Sequence, residues 1–288
     1  MRWPHYEHVF FDCDSTLATV EGIDMLADIA GKKWRVEVLT RAAMDGNLDL
    51  ENVYAKRLRA IKPTRAQIQD LRNVYKRNVV ADAAGVIAAL QALGHKVYII
   101  SGGLAEAVEE FGVFLGVPRP RIRAVVVDYD RLSGQWWQRT GEYASSNREE
   151  RYLAFNEGAL TISDGKAQIV RDLLGNQTGR SLLVGDGISD LRAGHAVNLF
   201  AGFGGVVRRE RVLAEAPVFV HSTSLAPLLA LAAGPAVGRQ LRGTPYAALA
   251  NKAFDLITTG AVTFQDERLK NKFSGALKAT LDATAQAR

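Results

Sequence analysis

The chain has 288 residues, 48% of them hydrophobic and 23% charged, with 36 lysines and arginines against 31 aspartates and glutamates. That balance excludes a disordered chain and a collagen-like repeat, and a single cysteine, Cys13, excludes an intrachain disulfide scaffold. The net charge of +5 is uneven: residues 1–238 carry 28 basic and 27 acidic groups, whereas residues 239–288 carry 8 and 4.

A pI near 9.3 raises the question of nucleic acid. The basic tail lacks dense Lys/Arg clusters interleaved with aromatics, so it is expected to be a solvated face rather than a nucleic-acid site. The longest uncharged stretch, Ser222–Gly238, is broken by Pro227 and Pro235 and is too short to span a bilayer. A cytoplasmic protein with no membrane partner is expected.

The first strand signal is His8–Phe11, a short apolar run ending in Asp12-Cys13-Asp14-Ser15-Thr16. From Ile23 the period becomes helical, and Gly31 stops the first helix. Second and third helices follow through Val36–Met44 and Leu50–Ile61. Pro63 then marks a break, and Thr64-Arg65-Ala66-Gln67 reads as a capping box opening a fourth helix. Residues 17–80 thus form a helical block inserted after one strand.

Beyond it, helices and strands alternate. Val86–Leu93, Leu104–Leu115 and Lys166–Leu174 read as helices. Lys96–Ile100, Ile122–Val127, Ser181–Val184 and Val197–Ala201 read as strands, with a hairpin turning near Ser133-Gly134. The pattern predicts an α/β fold, a parallel sheet with helices on both faces. The predicted division is a core of residues 1–16 and 81–222, a helical cap of 17–80 and a basic C-terminal extension of 223–288. Apolar stripes through Tyr246–Ile257 and Phe273–Leu281 are expected to pack on the body or on a partner, a second copy of the chain among the candidates.

In such folds ligands bind beyond the carboxyl ends of the strands. Those ends carry Asp12 and Asp14, then Ser101-Gly102-Gly103, then Gly185-Asp186-Gly187-Ile188-Ser189-Asp190, with Lys166 opening the helix before the last. Alternation turns Asp12 and Asp14 to one side and Cys13 to the other. Four converging carboxylates repel one another, and a divalent cation would relieve them. Oxygen ligands without His or Cys favour Mg²⁺. A lysine, a hydroxyl and exposed backbone N–H groups beside it suit a phosphoryl group. One aspartate could then act as nucleophile, and a second could carry the proton.

These motifs resemble those of the haloacid dehalogenase superfamily phosphatases, whose order of D-x-D, strand-end Ser or Thr, Lys and G-D-x-x-x-D is met over residues 7–222. Within that superfamily, D-C-D-S-T followed by Glu21-Gly22-Ile23-Asp24, I-S-G-G and Gly202-Phe203-Gly204-Gly205 are similar to the phosphoserine phosphatases. The resemblance implies a Rossmann-like core and a Mg²⁺-dependent phosphomonoesterase with Asp12 as nucleophile and Asp14 as general acid and base. It implies Mg²⁺ ligation by Asp12, the Asp14 carbonyl and Asp186, supported by Asp190. Ser101, Gly102 and Lys166 would hold phosphate oxygens. Glu21 would meet a substrate ammonium, Arg57 a carboxylate, and Met44 would line the pocket. The implied substrate is the small molecule O-phospho-L-serine, with phosphothreonine, phosphoethanolamine and phosphocholine as alternatives.

Overall fold

A computed structural model describes residues 3–44, 50–130, 132, 150–156, 158–162 and 164–285, with the backbone alone for 40–44, 50–52, 54 and 281–285. Its centre is a seven-stranded sheet. Four short strands are buried along their whole length: β1 (His8–Phe11), β6 (Ser181–Gly185), β7 (Leu199–Phe203) and β8 (Val218–Val220). With β2 (Lys96–Leu104) and β3 (Ile122–Val125) they run parallel, and β9 (Val262–Phe264) pairs antiparallel on β8, giving the order β3-β2-β1-β6-β7-β8-β9. Strand alternation splits the core in two. Val9, Phe11, Val97, Ile99 and Val184 face one layer, and Phe10, Tyr98, Ile100, Leu183 and Phe200 face the other.

The helical block after β1 forms as its periodicity predicts: α1 (Gly22–Ile29), α2 (Lys33–Met44), α3 (Leu50–Ile61) and α4 (Arg65–Arg77). Gly31 leaves α1 at φ +66°, a conformation that a glycine adopts without steric cost. Thr64 and Gln67 cap α4 reciprocally, as read from the sequence. Next come α5 (Ala83–Ala92) and α6 (Ala105–Phe114). A row of ion pairs joins α4 to α6, with Arg65 reaching Glu106 and Arg72 and Lys76 reaching Glu110, and the Gln69 amide donates to Glu106 beside them.

Two strand expectations need correction. β2 does not stop at Ile100 but continues through the glycines to Leu104, with a register shift against β3. The strand expected over Ile122–Val127 breaks at Val126, where β4 (Val127–Asp130) leaves the main sheet and pairs antiparallel with β5 (Arg151–Phe155). Asp128 and Asp130 alternate with apolar residues there, a pattern that suits a ribbon with one wet face rather than a doubly covered strand. The turn at Ser133-Gly134 lies outside the described residues.

The remaining helices are α7 (Gly165–Leu174), α8 (Ile188–Ala193), α9 (Glu210–Glu215), α10 (Pro227–Ala233), α11 (Val237–Gln240), α12 (Ala247–Thr258) and α13 (Glu267–Ala285). All seven residues of α10 are buried. The Trp3 indole donates to the Leu231 carbonyl at 2.8 Å, and its ring packs edge-on against Phe273 at 5.0 Å. Tyr246, Leu249, Phe254, Ile257 and Leu277 pack on the main core, so both apolar stripes of the tail meet the body. Among the described residues no helix is long and apolar enough to cross a membrane.

Candidate active site

β1 and β6 deliver their acids just past their last residues. After the four buried residues of β1, the Asp12 N–H still donates to the Val184 carbonyl at 2.9 Å, so the carboxylate emerges at the strand tip. The Cys13 carbonyl then accepts from Leu17 and Ala18 N–H, and Ser15 takes φ 53°. This tight turn leaves both Asp12 and Asp14 on the cavity wall, as alternation predicts. Cys13 is fully buried, and burial, reinforced by the Asp14 charge, pushes its thiol well above the usual range; it is a packed spacer. At the end of β6, a Cβ on Gly185 would lie 2.3 Å from the Asp190 carboxyl carbon. Glycine is therefore what lets the first turn of α8 approach the strand.

Asp12, Asp186 and Asp190 place carboxylate oxygens within 4.8 Å of one another, and all three residues are buried. Lys166 Nζ lies 2.6 Å from Asp12 Oδ1 and 2.6 Å from Asp190 Oδ1. Asp190 also accepts from Gly187 N–H, and Asp186 accepts from Thr16 Oγ1 at 3.3 Å. Burial, then the Asp12 charge, raises Asp186 and Asp190 above the carboxylate range. Burial opposes the Lys166 charge, but Asp12 and Asp190 outweigh it and hold the ammonium above the ordinary lysine range. Asp14 is pushed up to about 7 by burial and by the charges of Glu21 and Asp12.

These groups line a cavity of about 270 Å³ whose other wall is the helical block. Ile23, Leu26 and Leu71 supply an apolar side, and Glu21 and Arg57 supply opposite charges. Arg57 Nε is buried without a hydrogen-bond partner among the described residues. Gly102, Lys166, Asp186 and Asp190 join Asp12 and Asp14 in the lining. Ser101 is fully buried outside that lining and accepts from Gly103 N–H at 2.9 Å. Met44 closes α2, and its side chain lies outside the described residues.

Two polar lining residues, Arg209 and Tyr75, are not among the site residues expected from the sequence. Arg209, just before α9, reaches Asp186 Oδ2 at 3.0 Å and Glu21 Oε1 at 3.3 Å, so it joins the core acids to the cap. The Glu21 oxygen also accepts from Ser15 Oγ at 2.8 Å. Tyr75 on α4 donates to Asp14 Oδ1 at 2.8 Å, and burial and the Asp14 charge keep its phenol protonated.

Crowding of three buried carboxylates is the observation against which a metal can be tested. Their oxygens, with no His or Cys within the cluster, form a hard donor set that fits Mg²⁺ better than zinc.

A family model for haloacid dehalogenase-like hydrolases matches residues 9–195. The phosphoserine phosphatase of Drosophila melanogaster is 32% identical over 214 residues, covering 74% of this chain and 73% of that one. The Mus musculus phosphoserine phosphatase is also 32% identical over 214 residues, covering 74% and 88%. Among solved structures, a phospho-aspartyl intermediate analogue of phosphoserine phosphatase superposes with a TM-score of 0.61 at 22% identity, over 78% of this chain and 98% of that chain. At that identity the superposition speaks for the fold alone. Family match, identity and fold agree with the strand-end acids, and the chain is an enzyme of the haloacid dehalogenase-like hydrolase family, similar to phosphoserine phosphatases.

Proposed function

We propose that the enzyme is a Mg²⁺-dependent phosphomonoesterase that hydrolyses O-phospho-L-serine to L-serine and phosphate. The observation that carries the substrate is that Glu21 and Arg57, whose buried Nε has no hydrogen-bond partner among the described residues, line one cavity with Asp12 and Lys166. Phosphoserine bears an ammonium, a carboxylate and a phosphate, one for each of those sites. The arginine fork suits the carboxylate because it can donate two parallel bonds.

Asp12 attacks phosphorus in line. The ester P–O bond breaks as the Asp12–phosphate bond forms, and Asp14 protonates the departing serine oxygen. Asp14 then takes a proton from water, which attacks the phosphoryl group and restores Asp12. Lys166, Gly102 and Ser101 hold the phosphate oxygens. Asp12, Asp186 and the Asp14 carbonyl would hold Mg²⁺, with Asp190 supporting them; when bound, the ion offsets the charge of the acids and of the phosphate. Met44 is assigned to the pocket wall. The division into core, cap and C-terminal extension belongs to this reading, as do a cytoplasmic location and a role in serine biosynthesis.

The test is a steady-state comparison of phosphoserine, phosphothreonine, phosphoethanolamine and phosphocholine under saturating Mg²⁺. Phosphoserine is expected to give the highest kcat/KM, and Arg57→Ala to raise its KM by at least about tenfold. Preference for either substrate lacking a carboxylate would remove the role given to Arg57.

A further inference from the structure

We propose that Tyr75 is a positioning residue that orients Asp14, pinning its Oδ1 on the cap side so that Oδ2 faces the departing ester oxygen. The two oxygens of Asp14 have different surroundings. Oδ1 accepts from the Tyr75 hydroxyl and from Gly22 N–H, each at 2.8 Å. Oδ2 lies toward the phosphate loop, 3.2 Å from where a Cβ on Gly103 would stand. A carboxylate on its own turns freely about its last torsion and presents either oxygen. Two donors converging on one oxygen remove that freedom.

The donor is itself fixed. Tyr75 is fully buried, and its ring stacks on Phe111 of α6 at 5.2 Å with 19° between planes. The charge row from α4 to Glu106 and Glu110 holds the same helix against α6. The space for the hydroxyl is made by a missing side chain: a Cβ on Gly22 would stand 2.0 Å from the Tyr75 oxygen. Gly22 thus both donates to Asp14 and admits its second donor.

The inference rests on the reading of Asp14 as proton donor. As the ester P–O bond breaks and phosphorus bonds to Asp12, the electron pair left on the serine oxygen takes the proton from Asp14 Oδ2. The resulting carboxylate keeps both hydrogen bonds on Oδ1. Misplacing a proton donor by about an ångström costs up to about a hundredfold.

The test uses the full-length enzyme with Mg²⁺ and two substrates: phosphoserine, whose alkoxide needs a proton to leave, and p-nitrophenyl phosphate, whose phenolate does not. For Tyr75→Phe, kcat/KM for phosphoserine should fall about 10- to 100-fold through kcat, with KM little changed. For the aryl phosphate it should stay within about threefold, and Tm should hold because the ring stacking is kept. Gly22→Ala, whose Cβ would displace the hydroxyl and press on the ring carbon that bears it, 3.0 Å away, should give the same split. An equal loss on both substrates, or none on either, in both variants overturns the assignment. Asp14→Asn in the same assay separates the two claims. If it fails to discriminate between the substrates, the proton-donor reading falls and takes this one with it; if it alone discriminates, only the role of Tyr75 is overturned.

Discussion

The carboxyl ends of β1 and β6 and the C-terminal segment both bury their side chains, but of opposite kinds. At the strand ends Asp12, Asp186, Asp190 and Lys166 are all buried, and Lys166 is shared by two of the acids. In α10 seven buried residues include no polar side chain. Taking a charge out of water costs several kcal/mol even when paired, whereas buried apolar area contributes roughly 25 cal/mol per Å². The first region is therefore maintained by what it does, and the second by what it stabilises.

The largest expected effect tests the first half of that contrast. Asp12→Asn should lower kcat by more than about 10³-fold while Tm stays within a few degrees, because one of three mutually repelling carboxylates is gone. A loss of Tm as deep as that of a core cavity would show that the cluster also holds the fold. Lys166→Met removes the counter-charge from two buried acids at once. It should abolish turnover and cost about 3–5 kcal/mol in urea unfolding, since breaking a buried pair leaves charge uncompensated. On the other side, Leu229→Ala in α10 should cost about 2–5 kcal/mol and leave kcat of the folded enzyme unchanged. Reduced kcat at a temperature where that variant is fully folded would mean that the tail reaches the site.

The same contrast explains what the sequence discloses. Asp12, Asp14, Ser101, Lys166, Asp186 and Asp190 are legible because each stands beside its own strand or helix signal, and a sheet must bring strand ends together. Glu21 and Arg57 were legible only through the family resemblance, and both line the cavity. Arg209 and Tyr75 carry no such signal. Arg209 meets Glu21 across 188 residues, and Tyr75 meets Asp14 across 61, so packing alone makes them neighbours. Tyr75 reads as one more residue of an amphipathic stripe. Gly22 admits the Tyr75 hydroxyl, but a glycine at a helix start is common and signals no such contact. Likewise, periodicity shows that the tail is helical and apolar on one side, but Trp3 at the other end of the chain decides where it docks.

A smaller effect comes from the opposite end of β2, where burial acts on a base. His95 is buried just before the strand, and its Nδ1 lies 2.5 Å from the Tyr6 carbonyl. A carbonyl only accepts, so Nδ1 carries the proton, and Nε2 is left buried without a partner among the described residues. Protonating Nε2 would bury a charged N–H with no acceptor and with the His5 ring 4.3 Å away. Burial accordingly pushes the His95 pKa down from 6.5 to about 4. Between those values the unfolded chain binds the proton and the folded chain does not, so stability falls as pH drops through that window. The whole contribution is on the order of 3 kcal/mol. In urea titrations from pH 8 to pH 4, wild type should lose stability faster than His95→Gln, and subtracting the two curves cancels every carboxylate common to both. Parallel curves would show that the imidazole is solvated, and the contrast between the two ends of the sheet would then rest on the acids alone.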